Sequence, residues 1–375
     1  MRLGPYVRER SVIVVCGAGG VGKTTTSAAL ALAGARSGRR TLVLTIDPAR
    51  RLAQALGIPP TGSEPSDISA ERLAEAGVDV PGRGRLSAWM LDPRVVLESV
   101  VDRFAPSPED AKTIRGTRLY QALCEVMTGL QEYTAAEALY TFHTEGRYDL
   151  IVLDTPPSRN ALDFLDAPRK LARFLDERTL AIFAPEAAQR AGAMVRAASK
   201  VVSTALAKTF GESFAVELRQ FLGAFGKLFG RMRVHASGVR ELLRSDASAF
   251  LVVTSPDEAA LEEASFFQER IDELGLTNEG FVLNRSYASQ GPTDAPQSAA
   301  PANDAALARA LEKLIPLALL ESERIEDHKR LLAQLEQKSR DQGGQGASAL
   351  PFLDTAVESV GALDRLSSAI LADRD

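Results

Sequence analysis

The chain has 375 residues, 45% hydrophobic and 25% charged. That balance excludes a wholly disordered polypeptide and supplies apolar material for a large core, at a length that suits two or three domains or one α/β domain with insertions. Lys plus Arg number 44 against 49 Asp plus Glu, leaving a net charge of −5, which argues against a bulk electrostatic grip on nucleic acid.

The unbroken apolar, β-branched run Ser11 to Cys16 predicts a strand buried on both faces, as in a parallel sheet. A glycine loop follows, then an Ala/Leu-rich helix over Lys23 to Ser37, closed by Gly38 at its C′ position. Thr41 to Ile46 is a second buried strand. Strand, helix and strand in so short a span form a βαβ unit, which requires a parallel sheet and a right-handed crossover. Further core strands are expected at Arg85 to Leu91, Leu150 to Leu153, Ala249 to Val253 and Gly280 to Leu283. Between the last two, Ser255, Pro256, Asp257 and Glu258 match a helix N-cap, a Pro at the first helical position and a capping box.

Two stretches break this alternation. Pro93 to Gly146 and Pro168 to Arg244 read as wholly helical and are too long for ordinary crossovers. They are expected as a helical subdomain inserted at about 93–146 and 168–244 into a single domain spanning 1–375. Residues 286–304 and 341–349 are flexible loops by composition, with a charged helix over Glu321 to Arg340 between them. The expected fold class is α/β, a mostly parallel sheet flanked by helices.

The chemistry concentrates in Gly17-Ala18-Gly19-Gly20-Val21-Gly22-Lys23-Thr24, which matches G-x-x-x-x-G-K-[ST]. Gly17, Gly19, Gly20 and Gly22, with Val21 between them, let the backbone curl so that several N–H groups face one anion. The helix beginning at Lys23 adds its positive dipole end. Lys23 is the point charge for the β- and γ-phosphates, the Thr24 hydroxyl a ligand for Mg²⁺, and Thr25 is placed for the α-phosphate. The segment is expected as the phosphate-binding loop of a P-loop NTPase, with a plain glycine turn as its structural alternative. Such a loop needs an acidic residue at the end of another core strand, and Asp154 closes the run Leu150-Ile151-Val152-Leu153 as a second candidate for Mg²⁺. Asp47 ends the second strand, at the sheet edge where ligands bind, and can orient or deprotonate an attacking water; capping of a following helix is its structural alternative. Asn284 closes the strand Phe281-Val282-Leu283, where it can read an adenine edge or form a turn. The guanine-reading run N-K-x-D is missing, so ATP is the expected nucleotide.

The segments CGAGGVGKTTTSAALALA, TLVLTIDPARRLAQALG, YDLIVLDTPPSRNALDFLDAP and FVLNRS together resemble the arsenite-pump ATPase family, which includes the targeting factors for tail-anchored membrane proteins. The resemblance runs through most of the chain. It implies a cytoplasmic, Mg²⁺-dependent ATPase that works as a nucleotide-driven dimer. In it, Asp47 takes the place of the switch I catalytic Asp, Asp154 opens switch II, and Asn284 contacts adenine. The chain departs from the family in two places. Ala18 stands where the family carries a signature Lys that acts across the dimer, and Arg159 and Asn160 stand where switch II has Gly and His. Arg159 is therefore expected to replace the missing cation, unless a paralogous partner subunit supplies it.

Two Cys, at positions 16 and 124, are too few for the family's three-thiolate metalloid site, and the zinc-binding C-x-x-C of the targeting branch is missing too. His143, His235 and His328 form no ligand pattern. Arg2, Arg8 and Arg10 precede the apolar Val12 to Cys16, but that stretch is too short for a signal core, so export is not expected. Partner binding points to the second helical stretch. Arg169 to Arg244 holds 14 Lys/Arg against 6 Asp/Glu, with Phe214, Leu218, Phe221, Phe225 and Phe229 in a helical stripe. Basic amphipathic helices suit a membrane surface or a hydrophobic client helix, while inward packing is the ordinary use of such a stripe. The partners expected are thus a second subunit, identical or paralogous, and a hydrophobic helix or membrane protein, with no nucleic acid. A surface-positioning ATPase of the ParA/MinD kind, and a module that holds ATP with little turnover, are the alternatives.

Overall fold

The computed structural model describes residues 1–45, 51–59, 62–105, 107–118, 120–121, 130–156, 237–290, 305–357 and 359–372, with single positions or short pieces at 204, 208, 211–214, 216–218, 221 and 235. Most of the expected insertion 168–244, including Phe225 and Phe229, lies outside them, as do Asp47, Cys124, Arg159 and Asn160.

Eight strands form one sheet: β1 Val12–Gly17, β2 Arg40–Thr45, β3 Ser66–Asp67, β4 Arg85–Met90, β5 Leu150–Asp154, β6 Ser248–Thr254, β7 Asn278–Ser286 and β8 Ala347–Pro351, in the order β3-β4-β2-β5-β1-β6-β7-β8. Every pairing is parallel except the two-residue edge pairing of β3 with β4. The central strands are β-branched and apolar because helices cover both faces. Along β1 the side chains alternate between two cores. Val12, Val14 and Cys16 pack with Val96, Leu139 and Phe267 from helices Pro93–Phe104, Leu130–Thr144 and Glu258–Glu273. Ile13 and Val15 pack on the opposite face with Leu30 and Leu32 of helix Lys23–Arg36 and Leu363 of helix Val360–Ala372. Helix Lys23–Arg36 is Ala-rich because it is enclosed on all sides, and Gly38 ends it with φ of 82°.

The structure corrects three expectations. The helix after β6 starts at Glu258, capped by Asp257, whose carboxylate accepts the Ala260 N–H at 3.0 Å. Ser255 donates its hydroxyl to that same carboxylate instead of capping the helix itself, so Pro256 precedes the helix rather than opening it. The charged helix runs from Ala305 to Asp341, through Pro316, well beyond its expected start at Glu321. The end of the supposed loop 341–349 enters strand β8, whose backbone completes the sheet beside β7. Helices Pro93–Phe104, Pro108–Gly116 and Leu130–Thr144 lie within the first expected insertion, of which residues 122–129 are outside the described ones. Phe221, of the aromatic stripe, is 6% exposed and lies in the core with Tyr120 and Phe250. Among the described residues, no helix is long and apolar enough to cross a membrane.

Candidate functional site

The parallel register sets the site. Val15, Asp154 and Thr45 stand level across β1, β5 and β2, so the glycine loop and the Asp154 carboxylate emerge together at the C-terminal edge of the sheet. That edge is where open α/β sheets bind ligands.

Three glycines of the loop hold backbone conformations that L side chains avoid, with φ of 146° at Gly17, 80° at Gly20 and 92° at Gly22. At Gly17 a Cβ would stand 2.1 Å from the Val253 carbonyl oxygen of the neighbouring strand. Gly22 is the N-cap of helix Lys23–Arg36 and offers no side chain to the N–H groups of the first turn. Those donors thus remain available to an anion. Gly19 and Gly20 are exposed at the loop tip, while Ala18 and Val21 are buried.

The charged groups converge under this loop. Lys23 is buried, and its Nζ donates to the carbonyls of Gly17 at 3.0 Å and Ala18 at 2.6 Å. Asp154 is fully buried. Its Oδ2 accepts the Thr24 hydroxyl at 2.7 Å and the Thr45 hydroxyl at 2.9 Å, and its Oδ1 accepts the Ser27 hydroxyl at 3.4 Å. Thr155, the residue after it, donates its hydroxyl to the Val15 carbonyl at 2.8 Å. Three hydroxyls of the described residues thus bond this one buried carboxylate. Beneath the loop, burial pushes the Cys16 thiol up to about 12, against the nearby Lys23 ammonium and a bond with Thr155. Cys16 is therefore a neutral packing residue rather than a nucleophile.

Asn284 reaches the loop from β7. Its Nδ2 donates to the Val21 carbonyl at 2.8 Å, and the missing side chain of Gly22 makes room for it: a Cβ there would lie 2.2 Å from Nδ2. The sequence reading expects Asn284 at the ligand; the structure adds that one of its two amide N–H groups holds the loop. Beside it opens a cavity of about 570 Å³, bounded by Thr24, Thr25, Leu52, Asn284, Arg285 and Phe352 among others. That volume is in the usual range for small-ligand sites.

Lys23, Thr24, Thr25, Asp154 and Asn284 are thus brought to one place. Asp47 and Arg159 fall outside the described residues. Sequence reasoning missed Thr45, Ser27 and the segment from Pro351 to Val357 that walls the cavity. It also missed Arg285, which holds a φ of 56° where the pairing of β7 with β8 shifts register. Thr45 could have been found, because it ends a core strand as Asp154 does. Pro351 to Val357 carries only the weak signal of a Pro after a small-residue run.

Among the described residues, no group of three or more His, Cys, Asp and Glu is placed to hold a metal ion. His235 instead pairs through Nδ1 with the buried Glu137 at 2.9 Å, and His328 Nδ1 accepts the Tyr287 N–H at 3.0 Å.

Compared with known proteins, residues 10–300 match the family described as anion-transporting ATPase. The ATPase ASNA1 homolog 1 of Paramecium tetraurelia is 32% identical over 166 residues, 44% of this chain and 46% of that protein. An uncharacterized protein of Streptomyces coelicolor is 27% identical over 286 residues, 75% of this chain and 64% of that protein. The ATPase get3 of Schizosaccharomyces pombe is 28% identical over 163 residues, 44% of this chain and 45% of that protein. The matches span about half the length of the two ATPases and under two thirds of the Streptomyces protein.

Proposed function

This chain belongs to the anion-transporting ATPase family, and from that premise we propose that it binds ATP on the glycine loop and hydrolyses the terminal phosphoanhydride. The observation that carries this reading is Asp154, a fully buried carboxylate at the end of β5 bonded at 2.7 Å to the hydroxyl of the loop's own Thr24. A glycine turn used only for chain reversal has no need of a buried acid bonded to its threonine.

Thr24 Oγ1 and Asp154 would hold Mg²⁺ here. The donors are a hydroxyl and a carboxylate, the hard oxygen set that this ion takes alongside phosphate oxygens and water. When bound, the ion would neutralise charge on the β- and γ-phosphate oxygens. In this reading Lys23 exchanges its bonds with the Gly17 and Ala18 carbonyls for phosphate oxygens. The N–H groups at the start of helix Lys23–Arg36 hold the remaining charge. Asp47 orients a water and takes its proton as the water oxygen bonds to the γ-phosphorus and the bond to ADP breaks. Arg159 supplies the cation that a buried methyl at Ala18 cannot. Asn284, one of its amide N–H groups held by Val21, offers its carbonyl oxygen to the adenine amine in the cavity beside it.

The chain then acts as one domain with helices inserted at about 93–146 and 168–244. Nucleotide closes a dimer, with itself or with a paralogue, and hydrolysis reopens it. Asp154 and the residues after it are the switch that carries this to the helices and to a hydrophobic helix or membrane protein, in the cytoplasm or peripherally at a membrane. Lys23→Ala and Asp154→Ala should each lower ATP turnover by about 100-fold or more, the ordinary effect of deleting one preorganised electrostatic group. Unchanged turnover in both variants would sink the reading. The buried methyl of Ala18 favours one rival, a module that holds ATP without turning it over. Binding of a fluorescent ATP analogue, with no turnover in any mixture with a paralogue, would establish that rival.

A further inference from the structure

We propose that the Arg285 guanidinium holds the α-phosphate of the bound nucleotide, an inference that rests on the ATP-binding reading above. Strand β7 alternates as a regular strand does until it nears this residue. Val282 packs in the core beside helix Lys23–Arg36, and Leu283 packs in the core on the opposite face. Continued alternation would set Asn284 and Arg285 on opposite faces as well. Both instead bound the same cavity of about 570 Å³. Arg285 has a φ of 56°, and among the described residues it is the one position other than glycine with a positive φ. The pairing of β7 with β8 shifts register around it, between Leu283 and Ser286. A bulge re-aims a side chain, and a left-handed backbone at a residue other than glycine is strain of the kind kept at functional sites.

The place of this cation in the cavity selects its partner. Thr24 and Thr25, at the start of helix Lys23–Arg36, bound the cavity together with Asn284. In the ATP reading Thr25 meets the α-phosphate and Asn284 the adenine, so the sugar and the α-phosphate fall between them. Of these only the phosphate is charged. Arg285 is the one Lys or Arg among the described residues that bounds the cavity. It is exposed and makes neither a hydrogen bond nor an ion pair with any described residue. A guanidinium is a planar fork matched to phosphate oxygens. Asp354 is the one acid bounding the same cavity; it too is exposed and forms no ion pair among the described residues. A carboxylate repels phosphate and accepts from hydroxyls, so Asp354 suits the sugar and leaves the phosphate to Arg285.

The test measures ADP binding by calorimetry, and adenosine binding by displacement of a fluorescent ADP analogue, on the full chain with Mg²⁺. Arg285→Ala should weaken ADP about tenfold, the scale of one charge-assisted bond, and leave adenosine within about twofold, because adenosine carries no phosphate. Arg285→Gly should weaken ADP as much while its urea midpoint holds or rises, since glycine takes a φ of 56° without strain. Misfolding cannot produce that pair of results. Arg285→Lys should recover most of the loss, because the charge is kept and only the fork is lost. Unchanged ADP binding in Arg285→Ala and Arg285→Gly overturns the proposal and leaves nucleotide binding standing. A parent chain that binds neither ADP nor ATP overturns both. Equal losses for ADP and adenosine would overturn it by moving Arg285 to the base or sugar. A loss of ADP affinity in Asp354→Asn equal to that in Arg285→Ala would overturn it in favour of an ion pair across the cavity.

Discussion

At the scale of single residues, the site is built by what is missing as much as by what is present. Gly17 has a φ of 146° and a neighbouring carbonyl oxygen where a Cβ would go. Both the backbone and the neighbour are fixed, because Gly17 is in register with Val253 on β6. Gly17→Ala should therefore lower folding stability by about 3 kcal/mol or more, read from the urea midpoint, combining strain with displacement of a core strand. Ala18 raises a different question. Its methyl is buried in the core cluster that holds Val15 and Val21, and its carbonyl already accepts Lys23, so this position supplies no cation. If Arg159 provides the missing cation, Arg159→Ala should abolish turnover while ATP binding stays within about twofold of the parent, since the lost interaction belongs to the transition state. Turnover unchanged in that variant would send the search for the cation to a partner subunit. That the glycines, Lys23, Thr24, Asp154 and Asn284 come together was legible, because the motif fixes the spacing of the first group and strand ends place the last two. Thr45 and Ser27 were not, because a hydroxyl that bonds a buried carboxylate looks in sequence like any strand or helix hydroxyl.

At the scale of elements, legibility follows burial. Strands β1, β2, β5 and β6 are covered on both faces and so read as continuous apolar runs, and each was found within a residue or two of its ends. β8 escaped because it is an edge strand of small residues next to a Gly-rich turn, with composition that favours a loop. The first half of helix Ala305–Asp341 escaped because Pro316 lies inside it, and a Pro within a helical pattern usually marks a boundary. The cap before Glu258 was misassigned for a local reason. Ser255 and Asp257 both suit an N-cap, and only the backbone shows which carboxylate or hydroxyl meets an N–H. The two assignments separate experimentally. Asp257→Ala should cost about 1 kcal/mol in urea denaturation, whereas Ser255→Ala should cost about 0.5 kcal/mol or less. Equal losses would return the cap to Ser255.

At the scale of the whole molecule, the question is whether one chain completes its own site. The loop, Asp154 and Asn284 come from one sheet edge, and the cavity beside them is walled by the same chain. What that edge lacks, among the described residues, is a side-chain cation besides Lys23 reaching the loop carbonyls. Ala18, with a buried methyl, does not fill that gap. A shared-site dimer and a self-sufficient monomer then differ in a simple observable. If two chains close around nucleotide, turnover per chain should rise with protein concentration until the dimer saturates, and Lys23→Ala chains mixed in excess with intact ones should depress it. If each chain is complete, turnover per chain is flat and the mixture loses activity only in proportion to the inactive fraction. Client binding must be probed elsewhere than at Phe221, because an acidic residue there would enter the core shared by Tyr120 and Phe250 and unfold the helices around it. The exposed Leu317 face is a sounder control. Leu317→Glu should leave the ATP-driven rise in turnover intact, because it lies on a helix face with no part in the cavity beside the loop.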